Sequence, residues 1–171
     1  MTREAKGARA TIMKAFNRLV LSGGEKPPVA DILDEAGVAR STFYEHFNGR
    51  DSLLLEALAG LLSVIADAAT RVGDDSRLIA VLEHLRDFRR GGADLLTGPL
   101  ALRITRSLAG LIAERLPDAT QKSALHLADI QLGFIRLWLT GETPYAARDL
   151  AHLMMRSAAA QRAAMAGDTL L

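Results

Sequence analysis

Arg40-Ser41-Thr42-Phe43-Tyr44-Glu45-His46-Phe47 is a run in which hydrogen-bonding side chains alternate with aromatic ones at helical spacing. Phe43 and Phe47 are four residues apart, so on a helix they share one face and can anchor it in a small core. Ser41, Thr42, Tyr44, Glu45 and His46 then occupy the opposite face, with Arg40 just ahead of them. Side chains of these types donate to and accept from base edges and phosphate oxygens. One apolar stripe to hold the helix and one polar stripe to read is what a recognition helix in the major groove requires. Arg40 or Ser41 falls at the helix start, where free backbone N–H groups and the positive dipole end also favour a phosphate. The Tyr44 hydroxyl can reach a backbone phosphate. The chemistry this pattern points to is binding rather than bond-making.

Catalytic patterns are missing by comparison. His84, His126 and His152 are scattered over different stretches, without H-E-x-x-H or any two-histidine metal spacing. No G-x-S-x-G, P-loop or dinucleotide fingerprint is present. The chain has no cysteine, hence no disulfide, thiolate metal site or cysteine nucleophile. No enzymatic activity, metal or cofactor is expected, and the lack of cysteine fits a reducing, cytoplasmic setting.

Length and composition set the frame for these elements. The 171 residues suffice for one or two domains with a sizeable core, and 49% hydrophobic with 24% charged is an ordinary globular balance. No basic start is followed by an apolar run, so no signal peptide is expected. The longest weakly charged stretch, Leu53 to Val72, is interrupted by Glu56, Asp67 and Arg71. It falls short of the roughly 20 uninterrupted apolar residues of a membrane span, and no membrane partner is expected. The net charge is only +1, but Met1 to Lys26 carries six basic residues (Arg3, Lys6, Arg9, Lys14, Arg18, Lys26) against Glu4 and Glu25, a local excess of four. That opening segment could face phosphates or simply be a solvated helix face.

Leu and Ala dominate, no alternating β-branched run appears, and glycines and prolines punctuate helical patterns. The expected fold is all-α. Helices are expected at about Arg3–Leu21, Val29–Ala36, Arg40–Phe47, Leu53–Val72 (capped by Asp51 or Ser52) and Ser76–Arg90. Gly91-Gly92 and Gly98-Pro99 are expected to bracket a short irregular or one-turn piece. Pro99–Leu116, Ala119–Thr140 and Tyr145–Met165 complete the set. Between the two short helices, Gly37-Val38-Ala39 forms a tight turn, and Gly37 sits where a left-handed residue is needed. Ala30, Ile32, Leu33, Ala36 and Val38 are expected to pack inward.

The stretch Val29 to Leu58 resembles the signature of the TetR family of bacterial transcriptional regulators. The resemblance rests on Ile32, Ala36, Gly37, Val38, Ser41, Thr42, Phe43, Tyr44, His46, Phe47, Arg50, Asp51 and Leu53 in order and spacing. Arg50 stands where a lysine is more usual and keeps the positive charge. The resemblance implies a three-helix helix-turn-helix DNA-binding domain over residues 1–50 and a helical dimerisation and effector-binding bundle over 51–171. It further implies a repressor, less often an activator, that binds a palindromic operator on double-stranded DNA as a homodimer. In such proteins a small molecule in the C-terminal domain alters the separation of the DNA-reading heads. Lys26, Arg40, Ser41, Thr42, Tyr44, His46 and Arg50 are the expected DNA contacts. A helical interaction module that has lost DNA binding is the alternative; a polar outer face at Thr42, Tyr44 and His46 speaks against it.

In the C-terminal two-thirds, Leu125, Leu132 and Leu139 recur every seven residues beside Ile135, while Leu127, Ile130, Phe134, Leu137 and Trp138 fill another sector. A helix apolar on two faces must be covered on two faces. A second copy is the expected cover, with Leu125, Leu132, Ile135, Leu139, Leu153 and Ala158 at the dimer interface. One internal core without a partner is the other reading. For a small apolar effector, polar groups amid apolar ones are sought. Gln131, Phe134 and Trp138 lie on one helical face, with Arg103 and Phe88 as further candidates.

Overall fold

The computed structural model describes residues 3–21, 27–71, 75–87, 89–117 and 120–167. They form α-helices without strands: α1 (Arg3–Leu21), α2 (Val29–Ala36), α3 (Arg40–His46), α4 (Arg50–Thr70), α5 (Ser76–Asp87), α6 (Arg89–Thr97), α7 (Ala101–Arg115), α8 (Gln121–Thr140) and α9 (Ala147–Gly167). The chain divides into a unit over Met1–Ala59 and a second over Gly60–Leu171.

In the first unit α1 packs on α2 and α3. Its core is Ile12 and Phe16 of α1, Ile32 of α2, Phe43 and Phe47 at α3, and Leu53 of α4. Met13, Leu19, Val29, Leu33, Ala36 and Val38 close around it, half-buried. Ala30 is exposed instead of packed inward, because Ile32, with Val29, Leu33 and Ala36 beside it, occupies the inner face of this short helix. At Arg50 α4 starts earlier than expected, because Gly49 (φ 99°) turns the chain and its carbonyl accepts from Leu53 N–H. Ser52 Oγ donates back to that carbonyl at 2.8 Å, so it does not cap the helix.

In the second unit α8 packs on α7, α6 and α9, and α5 packs on α9 and α6. Thr120 caps α8, its hydroxyl accepting the Ser123 N–H at 3.1 Å. Left-handed Gly141 ends it. The expected break at Gly91-Gly92 is absent: α6 runs through both glycines. Two glycines inside a helix cost about 1 kcal/mol each, so packing must supply the difference. Arg89 Nε donates to the Leu139 carbonyl at 2.5 Å and its Nη2 to the Trp138 carbonyl at 3.3 Å, capping the end of α8. A Cβ on Gly92 would stand 3.0 Å from Leu139 Cδ1, so the glycine lets α6 lie close on α8. The real break is at Gly98-Pro99, where Gly91–Thr97 and Ala101–Arg115 meet at 87°.

By length and composition α4 is apolar enough to cross a membrane. Two of its acidic residues, however, are ion-paired within the protein, Glu56 with Arg9 and Asp67 with Arg115. Leu53, Leu62, Ile65 and Ala66 are buried against protein. One face of α4 is therefore packed into the protein. The Arg115 hydrogen bond (2.8 Å), helped by the charges of Arg115, Arg71 and Arg77, holds the Asp67 carboxyl below its usual pKa against the opposing effect of burial.

Candidate nucleic-acid interface

The turn between α2 and α3 is built by Gly37 at φ 63°, ψ 35°, whose N–H reaches the Asp34 carbonyl at 3.3 Å. Val38 N–H donates to the Leu33 carbonyl at 3.2 Å, completing a Schellman-type end. A side chain there would be strained by the left-handed backbone. The turn delivers Ala39, extended, as the residue before α3, and no side chain caps the first amides of that helix.

Phe43 and Phe47 point into the core of the first unit, their ring centroids 5.6 Å apart. This fixes which face of α3 looks outward. Arg40, Ser41, Tyr44 and Glu45 are exposed, and Thr42, His46 and Arg50 are half-exposed. Tyr44 is 51% exposed although its ring meets Phe43 edge-on at 5.3 Å. Six of the seven expected DNA contacts therefore lie together around one outward face or just beyond it; Lys26 lies outside the described residues. Asp31 and Asp34 of α2 are also exposed.

What the sequence did not reveal is Arg9. Its Nε donates to Glu56 Oε1 at 3.0 Å and its Nη2 meets Glu56 Oε2, while Nη1 donates to the His46 carbonyl at 3.3 Å. Its guanidinium carbon lies 4.9 Å from the centre of the Phe47 ring. Arg18 likewise pairs with Glu35. Of these basic residues Arg9 is half-buried against protein, whereas Arg18, though ion-paired, and Lys14 are exposed. A partner 47 residues away leaves no mark on local spacing.

The other expected residues fall in the second unit. Leu132, Ile135, Leu139 and Ala158 are buried within the single chain, and Leu125 and Leu153 are half-buried. The apolar residues that α8 presents outward are Ile130 (39% exposed) and Leu137 (41%), with half-buried Phe134 between them. Of the expected effector residues, Gln131 and Trp138 are buried and bonded to α9 and the turn before it. Gln131 Nε2 donates to the Met154 carbonyl at 3.4 Å and Trp138 Nε1 to the Tyr145 carbonyl at 2.8 Å. Arg103 is exposed, and Phe88 lies outside the described residues. Among the described residues no group of three or more His, Asp or Glu is placed to hold a metal ion.

Residues 23–57 match the family model of the bacterial regulatory proteins, tetR family. The fold is similar to that of a TetR transcriptional regulator from Streptococcus agalactiae 2603V. The TM-score is 0.54 at 21% identity, over 91% of this chain and 96% of that one. No curated protein sequence matches. The matched segment spans α2, the turn, α3 and the first part of α4, which are the elements that build the outward face. The N-terminal helix-turn-helix thus matches the model of the tetR family of bacterial regulatory proteins, and the chain as a whole shares the fold of a TetR transcriptional regulator.

Proposed function

We propose that this chain is a cytoplasmic transcriptional repressor without catalytic activity. On this reading it binds a palindromic operator as a homodimer and releases it on taking up a small apolar molecule. The observation that carries the reading is the two-faced α3: Phe43 and Phe47 buried, with Arg40, Ser41, Thr42, Tyr44, His46 and Arg50 around the open side. Such a helix is anchored on one side and free to enter a groove on the other. Selection of bound duplexes from random DNA tests it; recovery of a two-fold symmetric site is expected, and no enrichment over input would refute DNA reading.

Within that reading Tyr44 contacts phosphate. Tyr44→Phe is expected to weaken binding to the selected site and to unrelated duplex alike. The loss should be about 1 kcal/mol, roughly fivefold, the net scale of one hydrogen bond. Thr42→Ala is expected to weaken the selected site more than unrelated DNA. Titrations of both duplexes at several salt concentrations check this, and unchanged affinity for Tyr44→Phe removes that residue from the interface.

Dimerisation is supported by the outward apolar stripe Ile130, Phe134 and Leu137, spaced four and three residues apart on α8. Exposed Ala159, Ala160, Ala163 and Ala164 on α9 permit close helix approach. Effector release follows from the family resemblance, and the chemistry of α8 defines how it would be seen. A molecule entering among Gln131, Phe134 and Trp138 must displace the bonds to Met154 and Tyr145, and so change the surroundings of the one tryptophan. Its binding is expected to shift Trp138 emission and lower operator affinity by about 5- to 150-fold. A panel of apolar metabolites that leaves emission, melting temperature and DNA affinity unchanged would sink this part of the reading.

A further inference from the structure

Arg9 belongs to a segment whose basic excess suggested phosphate contact, yet its guanidinium is spent inside the first unit. It holds Glu56 of α4 through both carboxylate oxygens, donates to the His46 carbonyl at the end of α3, and lies over the Phe47 ring. One group on α1 thereby ties the last residue of α3, the residue after it, and α4. The His46 carbonyl is one of the groups that a helix end leaves without an internal partner. At seven residues, under two turns, α3 is too short to hold its own direction and depends on its surroundings.

Phe43 and Phe47 keep α3 in the core, but two rings on one stripe still allow it to roll and tilt. The fork of Arg9 opposes that movement at the C-terminal end, because a planar guanidinium bonded to a carboxylate and a carbonyl permits few arrangements. The Arg9 and Glu56 side chains are 39% and 35% exposed, so solvent screening leaves the pair little to add to stability. Its effect on direction is what remains. Base-edge contacts tolerate displacements of only about 0.5 Å and 10–20°, whereas long side chains follow a phosphate over a wider range.

We propose that Arg9 is a positioning residue which, through Glu56 and the end of α3, sets the sequence discrimination of the recognition helix without touching DNA itself. The proposal rests on the DNA-reading function given above. It stands against the alternative that Arg9 reaches a phosphate, and the two predict opposite signs at Glu56. If Arg9 bound phosphate, removing the Glu56 charge would free it and strengthen binding to any duplex. If Arg9 positions α3, the same change loosens α3 and weakens only the selected site.

The test titrates the full-length protein with its selected duplex and with an unrelated duplex of equal length, over a range of salt. Glu56→Gln, Arg9→Gln, Arg9→Lys and the double variant Arg9→Gln/Glu56→Gln are compared with wild type. Each single glutamine variant is expected to lower the ratio of selected to unrelated affinity by roughly tenfold, with affinity for unrelated DNA and its salt slope unchanged. The double variant is expected to be no worse than either single one, since both break the same clamp. Arg9→Lys, which keeps the charge and loses the fork, should lie between. Far-UV circular dichroism and melting temperature confirm the fold, and Glu56→Gln and Arg9→Lys carry the test if Arg9→Gln is unfolded at assay temperature. Stronger binding of Glu56→Gln to both duplexes, with a salt slope reduced by about one in Arg9→Gln, overturns the proposal in favour of phosphate contact. An unchanged affinity ratio in folded Glu56→Gln and Arg9→Lys overturns it outright. Failure of the wild type to bind any duplex is a separate result, which refutes the DNA-reading function itself.

Discussion

Phe43→Ala is expected to destabilise the N-terminal unit by about 3–5 kcal/mol, the cost of truncating a fully buried aromatic side chain. Phe43 has no exposed surface and packs with Ile12, Phe16, Ile32, Phe47 and Leu53. A unit of about 59 residues has little stability to spare, so most of the chains should have this region unfolded well below the wild-type melting temperature. Thermal unfolding followed by circular dichroism measures it, with a shift on the order of 10–40 °C. DNA binding should be lost over the same temperature range, because Arg40, Ser41, Thr42 and Tyr44 face outward only while Phe43 faces in. Tyr44→Phe on the same helix should leave melting unchanged. A Phe43→Ala protein that melts within a few degrees of wild type would show that the ring is not the anchor.

A similarly large effect is expected at the outward face of α8. On the proposed reading, Leu137→Asp should convert a dimer to monomer at low micromolar concentration, with operator binding lost in parallel, since one head engages one half-site. A two-fold interface meets the substitution twice, and each buried carboxylate costs about 2 kcal/mol or more. Dimer dissociation should therefore rise by roughly three orders of magnitude. Ile130→Asp should act in the same direction. Ile135→Asp should behave differently: Ile135 is 1% exposed within the single chain, so a carboxylate there unfolds the helix packing before it separates two chains. Sedimentation and melting of the three variants separate the cases. A folded Leu137→Asp protein that sediments as wild type rules out this face as the interface, and a wild-type monomer rules out the dimer.

These two sites mark where reading the sequence succeeds and where it stops. The helix-turn-helix was legible because its determinants are local. A spacing of four puts Phe43 and Phe47 on one face, Gly37 adopts the left-handed backbone that closes α2, and the polar residues between the rings can only point away. The stop at Gly141 is equally local. Which apolar face of α8 turns inward is not a local property. Leu132, Ile135 and Leu139 compete with Ile130, Phe134 and Leu137 on nearly equal terms in the sequence. The decision is made by α6, α7 and α9, which cover one face and leave the other open. The helical α6 is a tertiary outcome too: Gly91 and Gly92 disfavour it, and the Arg89 cap on α8 with the close approach at Gly92 outweighs them. Arg9 shows the same limit most sharply. Its charge suggested solvent or phosphate, and only the folding of α4 brings Glu56 to within a hydrogen bond of it. Local spacing determines what a helix can present; the helices packed around it determine which side it presents and to what.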